Sequence, residues 1–479
     1  MPEEQLIKPH SPKINTIILF GAQAAASFLS FVAIFCLTRY LGPEKFGLYA
    51  TALAFVALFL PIADLGIDLA LTRLVAKDRS RLKTLLGSAL KLKAVLLALI
   101  VIIIYLVALI LKYDLHERGL ILIATFGMLS LSITNSFIAG IRALQRMEME
   151  AASLIVARLS FVVLVLIMIF LGAGLTEMLI CQLLGNLIFG VVALVLLTRK
   201  VGPPEFPSGF EFGLIREGLP FCLSALFVVV YFKIDTVMLS RMVGDSAVGY
   251  YNAAYNLVFA LMIISNSMVA VAFPAIASRY RSDFPAAQNV FKQGLRYSLV
   301  LGLPFACGGT YLAAGLISLI YGQSYFPSAL ALKIIIWTVP IIFLTNLFGN
   351  SLGGIGLQKR VAMVAGINAV VNILLNFWLI PKYSFNGSAV ATVATELLGL
   401  AIMTPMVLKI FKPDWVSVTL LTVVSNVVAV ALLYILKVEN LFYGVAIYFI
   451  VYILLLLMFR VVGLGDLAFW RRLGEVREV

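Results

Sequence analysis

Thr38–Ala52, TRYLGPEKFGLYATA, and Ser240–Ala254, SRMVGDSAVGYYNAA, align without a gap at Arg39 and Arg241, Gly42 and Gly244, Gly47 and Gly249, Tyr49 and Tyr251, and Ala52 and Ala254. The same register carries on to Arg79-Ser80 over Arg281-Ser282. Each copy sits within apolar sequence of membrane-spanning length. A repeat of about two hundred residues is too long for a solenoid unit and predicts two halves of one transporter related by a pseudo-two-fold axis. Function is therefore expected between the halves.

Composition sets the solvent. Hydrophobic residues make up 62% of the chain and charged residues 12%, with a mean hydropathy of +1.06, whereas soluble domains carry about 25% charged residues. The chain reads as an integral, all-α membrane protein. Its longest polar segment, Arg199–Glu217, contains Gly202, Pro203, Pro204, Pro207 and Gly209 and reads as a linker rather than a soluble domain. Cys36, Cys181, Cys222 and Cys307 lie in apolar runs without CxxC spacing and read as small core residues. The only histidines, His10 and His116, fall in polar connections, so no metal site and no cofactor is expected.

About fourteen transmembrane helices follow, from Ile14–Leu37 to Leu441–Phe459. An even number puts both termini on one side. The loops on that side hold most of the loop cations, including Arg73, Lys77, Arg79, Arg81 and Lys83, Arg279 and Arg281, and Arg471, Arg472 and Arg477. The positive-inside rule then places both termini in the cytoplasm. The net charge of +13 is accounted for by topology and contact with anionic membrane lipids, and calls for no nucleic acid. A second repeat, AGIRALQR (Ala139–Arg146) and GGIGLQKR (Gly353–Arg360), closes the fourth span of each half. Spans one to six therefore repeat as seven to twelve about an axis along the membrane normal. The expected division is a six-helix lobe over residues 1–212, a second over 213–412, and two additional helices over 413–479.

A charge at membrane depth costs at least roughly 2.5 kcal/mol, so each one is a site hypothesis. The acidic residues are Asp64, Asp68, Asp235 and Glu396. Asp64 and Asp68 are four apart after Pro61, which predicts one helical face on which two carboxylates need a proton, a sodium ion or a cationic partner. They are candidates for coupling or gating, with Asp235 and Glu396 beside them; the structural alternative pairs Asp68 with Arg73. Lys233 and Arg158 are intramembrane cations suited to a substrate phosphate or carboxylate. The structural alternative for Lys233 is an ion pair with Asp64 or Glu396 that holds the halves together. Lys91, Lys93 and Lys333 lie near span ends and read as snorkelling.

Asn252 with Asn256, Asn346 with Asn350, and Asn368 with Asn372 and Asn376 form four-residue stripes, read either as a path for hydroxyl-rich cargo or as interhelical glue. Pro61, Pro220, Pro274, Pro304, Pro340 and Pro405 fall within spans and predict kinks. No G-x-x-x-x-G-K-[ST] motif is present, and no acidic pair occupies a sizeable outer loop. The chain is not expected to be an enzyme.

TRYLGPEKFGLYATA, the following ADLGIDLALTR, and YFKIDTVMLSRMVGDSAVGYYNAAYN resemble the polysaccharide-transporter branch of the multidrug/oligosaccharidyl-lipid/polysaccharide exporter superfamily over nearly the whole chain. The resemblance implies a flippase that moves a polyprenyl-pyrophosphate-linked oligosaccharide from the cytoplasmic to the outer leaflet by alternating access. A glycan polymerase or glycosyltransferases are candidate partners, and proton or sodium coupling is the functional reading of the carboxylates above rather than of the resemblance. It implies a cavity lined by spans one, two, seven and eight, near Arg39, Asp64, Lys233, Asp235, Arg241 and Asn252. Helices thirteen and fourteen of such relatives form a groove for the lipid tail. The first span here, unlike the arginine-rich one of lipid II flippases, has no cation. The expected substrate contacts are Arg39, Arg158, Lys233, Arg241, Asn252 and Asn256. The competing readings are a cation-coupled multidrug exporter of the same superfamily and a non-transporting scaffold.

Overall fold

A computed structural model describes residues 12–413, 415–438 and 440–463, with side chains from residue 18 onward. His10 and the cations Arg471, Arg472 and Arg477 of the topology reading lie outside the described residues. Among the described residues the protein is all helical, with no strand. Twelve helical stretches are long and apolar enough to cross a membrane. Large apolar side chains point outward: Val95, Leu99, Ile102 and Leu106, at helical spacing, are all exposed. Such stripes suit contact with lipid rather than with water.

The chain divides into two compact units, Met1–Gly249 and Tyr250–Val479. In the first, α1 (Pro12–Ala57) is broken at Gly42, whose φ is 72°. The helix stops just ahead of Pro61, which lacks the N–H that would continue it, and restarts as α2 (Leu60–Asp64). Leu65 (φ 48°) and Gly66 (φ 74°) then turn the chain into α3 (Ile67–Lys77). The following helices are α4 (Leu82–Ile110), α5 (Leu115–Ala143), α6 (Met147–Phe170), α7 (Leu175–Val201) and α8 (Gly213–Met242). Leu71, Leu85, Leu86, Phe137, Ile141 and Leu197 form a core between α3, α4, α5 and α7.

Two glycine contacts hold α8 and the start of α9 (Asp245–Arg279) to the first helices. A Cβ on Gly66 would lie 2.1 Å from the Gly218 carbonyl oxygen, and one on Gly218 2.5 Å from the Leu65 carbonyl oxygen, so only glycine fits on both sides. The second contact is reciprocal in the register of the repeat. A Cβ on Gly47 would fall 1.8 Å from the carbonyl oxygen of Asp245, and one on Gly249 1.9 Å from that of Pro43. The stretch of α8 between these contacts carries Lys233 and Asp235.

The second unit continues α9 (Asp245–Arg279) and adds α10 (Phe284–Tyr321), α11 (Ser328–Ile335), α12 (Thr338–Gly354), α13 (Gln358–Phe411), α14 (Val416–Ile435) and α15 (Leu441–Met458). Ser328–Gly354 is one stretch of membrane-spanning length, built of two helices because Pro340 cannot donate to the Ile336 carbonyl. α13 is broken at Ser384 (φ 53°), just after Pro381. Pro220, Pro274, Pro304 and Pro405 lie inside helices that run through them. Phe291 and Phe411 stack at 4.4 Å in one core, and Val300, Ala429, Leu433, Tyr448 and Tyr452 pack α10 against α14 and α15 in another.

Candidate functional site: a lysine between two aspartates and unpaired intramembrane cations

Lys93, about three turns into α4, has a fully buried side chain. Its Nζ lies 2.8 Å from Asp64 Oδ1 and 2.7 Å from Asp68 Oδ2, and it donates at 2.7 Å to the Ser132 carbonyl. Ser136 Oγ donates to Asp68 Oδ1 at 2.7 Å. Lys93 Nζ donates to both Asp68 carboxylate oxygens and to the Ser132 carbonyl, while Asp64 Oδ1 makes an ion-pair contact without a hydrogen bond, and the pairing offsets the desolvation of a buried lysine.

Two expectations are corrected here. Asp64 and Asp68 do not share one helical face: Asp64 closes α2, Asp68 opens α3, and the left-handed turn at Leu65 and Gly66 folds both toward Lys93. Lys93 does not snorkel. Two residues from Lys91 on a helix, it points inward, whereas Lys91 Nζ reaches the Pro207 carbonyl at 2.6 Å and lies 5.1 Å over the Phe210 ring. Arg73 is stacked on Phe221 at 4.4 Å rather than paired with Asp68. Asp64 has Lys93 as its cation, which removes it as the partner considered for Lys233.

The cluster holds two acids and one base in a largely buried place, with the two carboxylate side chains 24% and 18% exposed. With all three ionised it carries one net negative charge, so one proton or one monovalent cation brings it to neutrality. The arrangement is suited chemically to reversible uptake of a single positive charge.

Asp235 on α8 is buried and accepts from the Thr236 backbone N–H at 2.7 Å. Lys233, two residues earlier and half-buried, makes no ion pair within 4 Å and no hydrogen bond among the described residues. Arg158 on α6 is likewise half-buried without an ion pair; its electrostatic neighbour is the buried Tyr49. Tyr49 lies 3.4 Å from Gln182 Oε1, Gln182 reaches Asn186 at 3.5 Å, and Asn186 reaches the Gly127 carbonyl at 3.0 Å. Arg39 is exposed at the break of α1.

Arg241 is committed elsewhere. It pairs with Glu117 at 2.9 Å and stacks 3.9 Å over the Tyr113 ring, at the connection between α4 and α5. Burial pushes the Tyr113 hydroxyl up to about 12, with the guanidinium opposing the shift. The ring therefore stays neutral and serves as an aromatic face.

In the second unit Glu396 is buried, and Asn252 and Asn256 are half-buried on α9. Asn346 donates to Ser265 and Asn266, and Asn350 to the Asn346 carbonyl. Asn376 donates to Asn372 and accepts from Ser388 at 2.8 Å. These two stripes act as glue between or along helices. Ser132 and Ser136 are site residues that sequence reading passed over, and Lys93 is one that it read as snorkelling.

A family model described as polysaccharide biosynthesis protein matches residues 13–279, and one described as MatE matches residues 220–378. Among curated proteins, a putative O-antigen transporter of Shigella dysenteriae is 23% identical over 81% of this chain and 97% of that one. A probable flippase, AglR of Haloferax volcanii, is 23% identical over 55% of each chain, so the match spans about half the length of that relative. Among solved structures, a lipid II flippase, MurJ, in an inward closed conformation superposes with a TM-score of 0.75 at 15% identity, over 95% of this chain and 99% of that one. The likeness to MurJ concerns the fold.

Proposed function

The chain belongs to the polysaccharide biosynthesis protein family, within the multidrug/oligosaccharidyl-lipid/polysaccharide exporter superfamily, and on that footing we propose that it flips a polyprenyl-pyrophosphate-linked oligosaccharide from the cytoplasmic to the outer leaflet of the cell membrane. A sugar headgroup cannot cross about 30 Å of hydrocarbon unaided, while its tail can remain in lipid. The observation that carries the reading is the division of labour among intramembrane cations. Lys93 is held by two aspartates, whereas among the described residues Lys233 and Arg158 form no ion pair within 4 Å, Lys233 having only the longer-range influence of Asp235, so both are the proposed contacts for a pyrophosphate.

The proposal includes fourteen crossings. Ile18–Lys77 and Gln358–Phe411 are 60 and 54 residues long, and as straight helices they would run about 90 and 80 Å. Each therefore crosses twice, breaking at Gly42 and Ser384. The repeat halves, residues 1–212 and 213–412, would alternate access, with residues 413–479 appended. An apolar cavity of about 270 Å³ lined by Leu261, Phe305, Leu312, Ile336 and Phe449 suits the polyprenyl tail.

The Lys93 cluster is the proposed coupling site, and a proton is the proposed ion, because the ammonium already occupies the place between the carboxylates that sodium would take. Asp235 and Glu396 are proposed to act in gating, and Asn252, Asn256 and Arg39 to contact the sugar. The MatE match over residues 220–378 supports a second reading, a cation-coupled drug exporter. Export of glycan in cells carrying Lys233→Ala with Arg158→Ala separates the two. Loss of glycan export at normal protein level supports the flippase; unchanged glycan with altered drug tolerance supports the exporter.

A further inference from the structure

The second unit contains a cavity of about 270 Å³ where the first turns of α10, the start of α14 and the end of α15 meet. Lys292, Arg296 and Arg460 line it, and no carboxylate does so among the described residues. Trp415 and Ser417 stand at its α14 side, and Leu421 belongs to its apolar floor. We propose that this cavity binds the phosphate of an anionic membrane phospholipid, a site separate from the transport pathway and independent of the transport reading.

The cations are arranged rather than scattered. Lys292 and Arg296 are one helical turn apart and so share a face of α10. Arg296 is anchored: it donates to the Val461 carbonyl and, at 3.2 Å, to Gln293 Oε1. That bond ties the chain just after α15 to α10 and brings Arg460 to the same cavity. Arg460 follows Phe459, the C-cap of α15, with a φ of 53°, a left-handed position that glycine takes at no steric cost. The Lys292 side chain and Arg460 are exposed, and neither has an ion-pair partner among the described residues.

Phosphate is the ligand chemistry that fits three cations with a neighbouring hydroxyl and amide, since it accepts several charge-assisted hydrogen bonds at once. A lipid is favoured as its source for two reasons. The floor is apolar, so an acyl chain has a surface to follow, and a tryptophan stands at the rim, the residue enriched at headgroup depth. The sequence also places this end of α10, α14 and α15 on the cation-rich side of the membrane, where anionic headgroups attract lysine and arginine.

The test is a lipid titration of the purified full-length protein in a neutral detergent, following its thermal-unfolding midpoint. Dioleoylphosphatidylglycerol is compared with dioleoylphosphatidylcholine and with inorganic phosphate. The wild type is expected to be stabilised by the anionic lipid alone. Lys292→Ala with Arg460→Ala, both at exposed positions, is expected to weaken the apparent affinity by roughly tenfold or more. A control at two other exposed cations, Arg199→Ala with Lys200→Ala, is expected to keep it. An equal loss in the control overturns the proposal in favour of general surface charge, and an undiminished response in the double variant overturns it outright. Equal stabilisation by inorganic phosphate overturns the lipid as the source.

Discussion

Gly47 and Gly249 face one another across a reciprocal backbone contact, each resting on the carbonyl at the position equivalent to the other's in the repeat: Gly47 on Asp245 and Gly249 on Pro43. The contact explains why these glycines recur in register with Arg39/Arg241 and Tyr49/Tyr251. A side chain on either would strike backbone, which has no rotamer to move. Gly47→Ala and Gly249→Ala are each expected to cost about 1–3 kcal/mol, the range for overpacking a close contact. Gly21→Ala and Gly119→Ala, where an added Cβ meets nothing within 4 Å, are expected to leave stability unchanged or slightly raised. Thermal unfolding in detergent reads both sets.

Lys93→Met leaves Asp64 and Asp68 without their cation and is expected to cost about 3–5 kcal/mol, as for breaking a buried pair from one side. Adding Asp68→Asn to Lys93→Met should recover part of that loss by removing one orphaned charge. The yield of folded protein and its unfolding midpoint measure this. A Lys93→Met variant as stable as wild type would mean that the carboxylates are solvated and that the cluster is not the closed unit described here.

Asp68→Asn keeps the shape of the side chain and its acceptor for Ser136 while removing a charge from the cluster. Lys93 with Asp64 alone is already neutral, so the variant is expected to fold and to lose the dependence of transport on a proton gradient. Transport assayed with and without an imposed pH difference checks this. Equal stimulation by the gradient in wild type and variant would remove Asp68 from coupling.

The Arg241–Glu117 pair is partly exposed, at 27% and 13% for the two side chains. Glu117→Gln is expected to cost no more than about 1 kcal/mol and to leave transport close to wild type. The charge swap Arg241→Glu with Glu117→Arg should recover stability relative to Arg241→Glu alone. Strong loss of transport in Glu117→Gln at normal stability would return Arg241 to the substrate path.

The repeat was legible because close backbone approach admits only glycine, and that leaves a mark in the sequence. The membrane class and the presence of buried charge were legible from hydropathy. The partner of the acidic pair was not. A lysine near the start of a long apolar helix reads the same whether it snorkels out or turns in, and only the packing of α4 against α3 and α5 decides for Lys93. Nor did the four-residue spacing of Asp64 and Asp68 reveal the turn between them. Gly66 carried that information, but its meaning depends on Gly218, far away in sequence. The break of α13 at Ser384, just after Pro381, falls in the gap between the apolar runs that end at Ile380 and restart at Gly387.

The central claim is that lipid-linked glycan crosses the bilayer through this protein and that Lys233 and Arg158 hold its phosphates. It is tested most directly in liposomes carrying a fluorescent polyprenyl-pyrophosphate oligosaccharide, by following its movement between leaflets without protein, with wild type, and with Lys233→Ala and Arg158→Ala combined. The expected result is protein-dependent movement that the double variant loses at equal incorporation. Movement no faster than in empty liposomes, with export of a cationic dye in its place, would contradict the account.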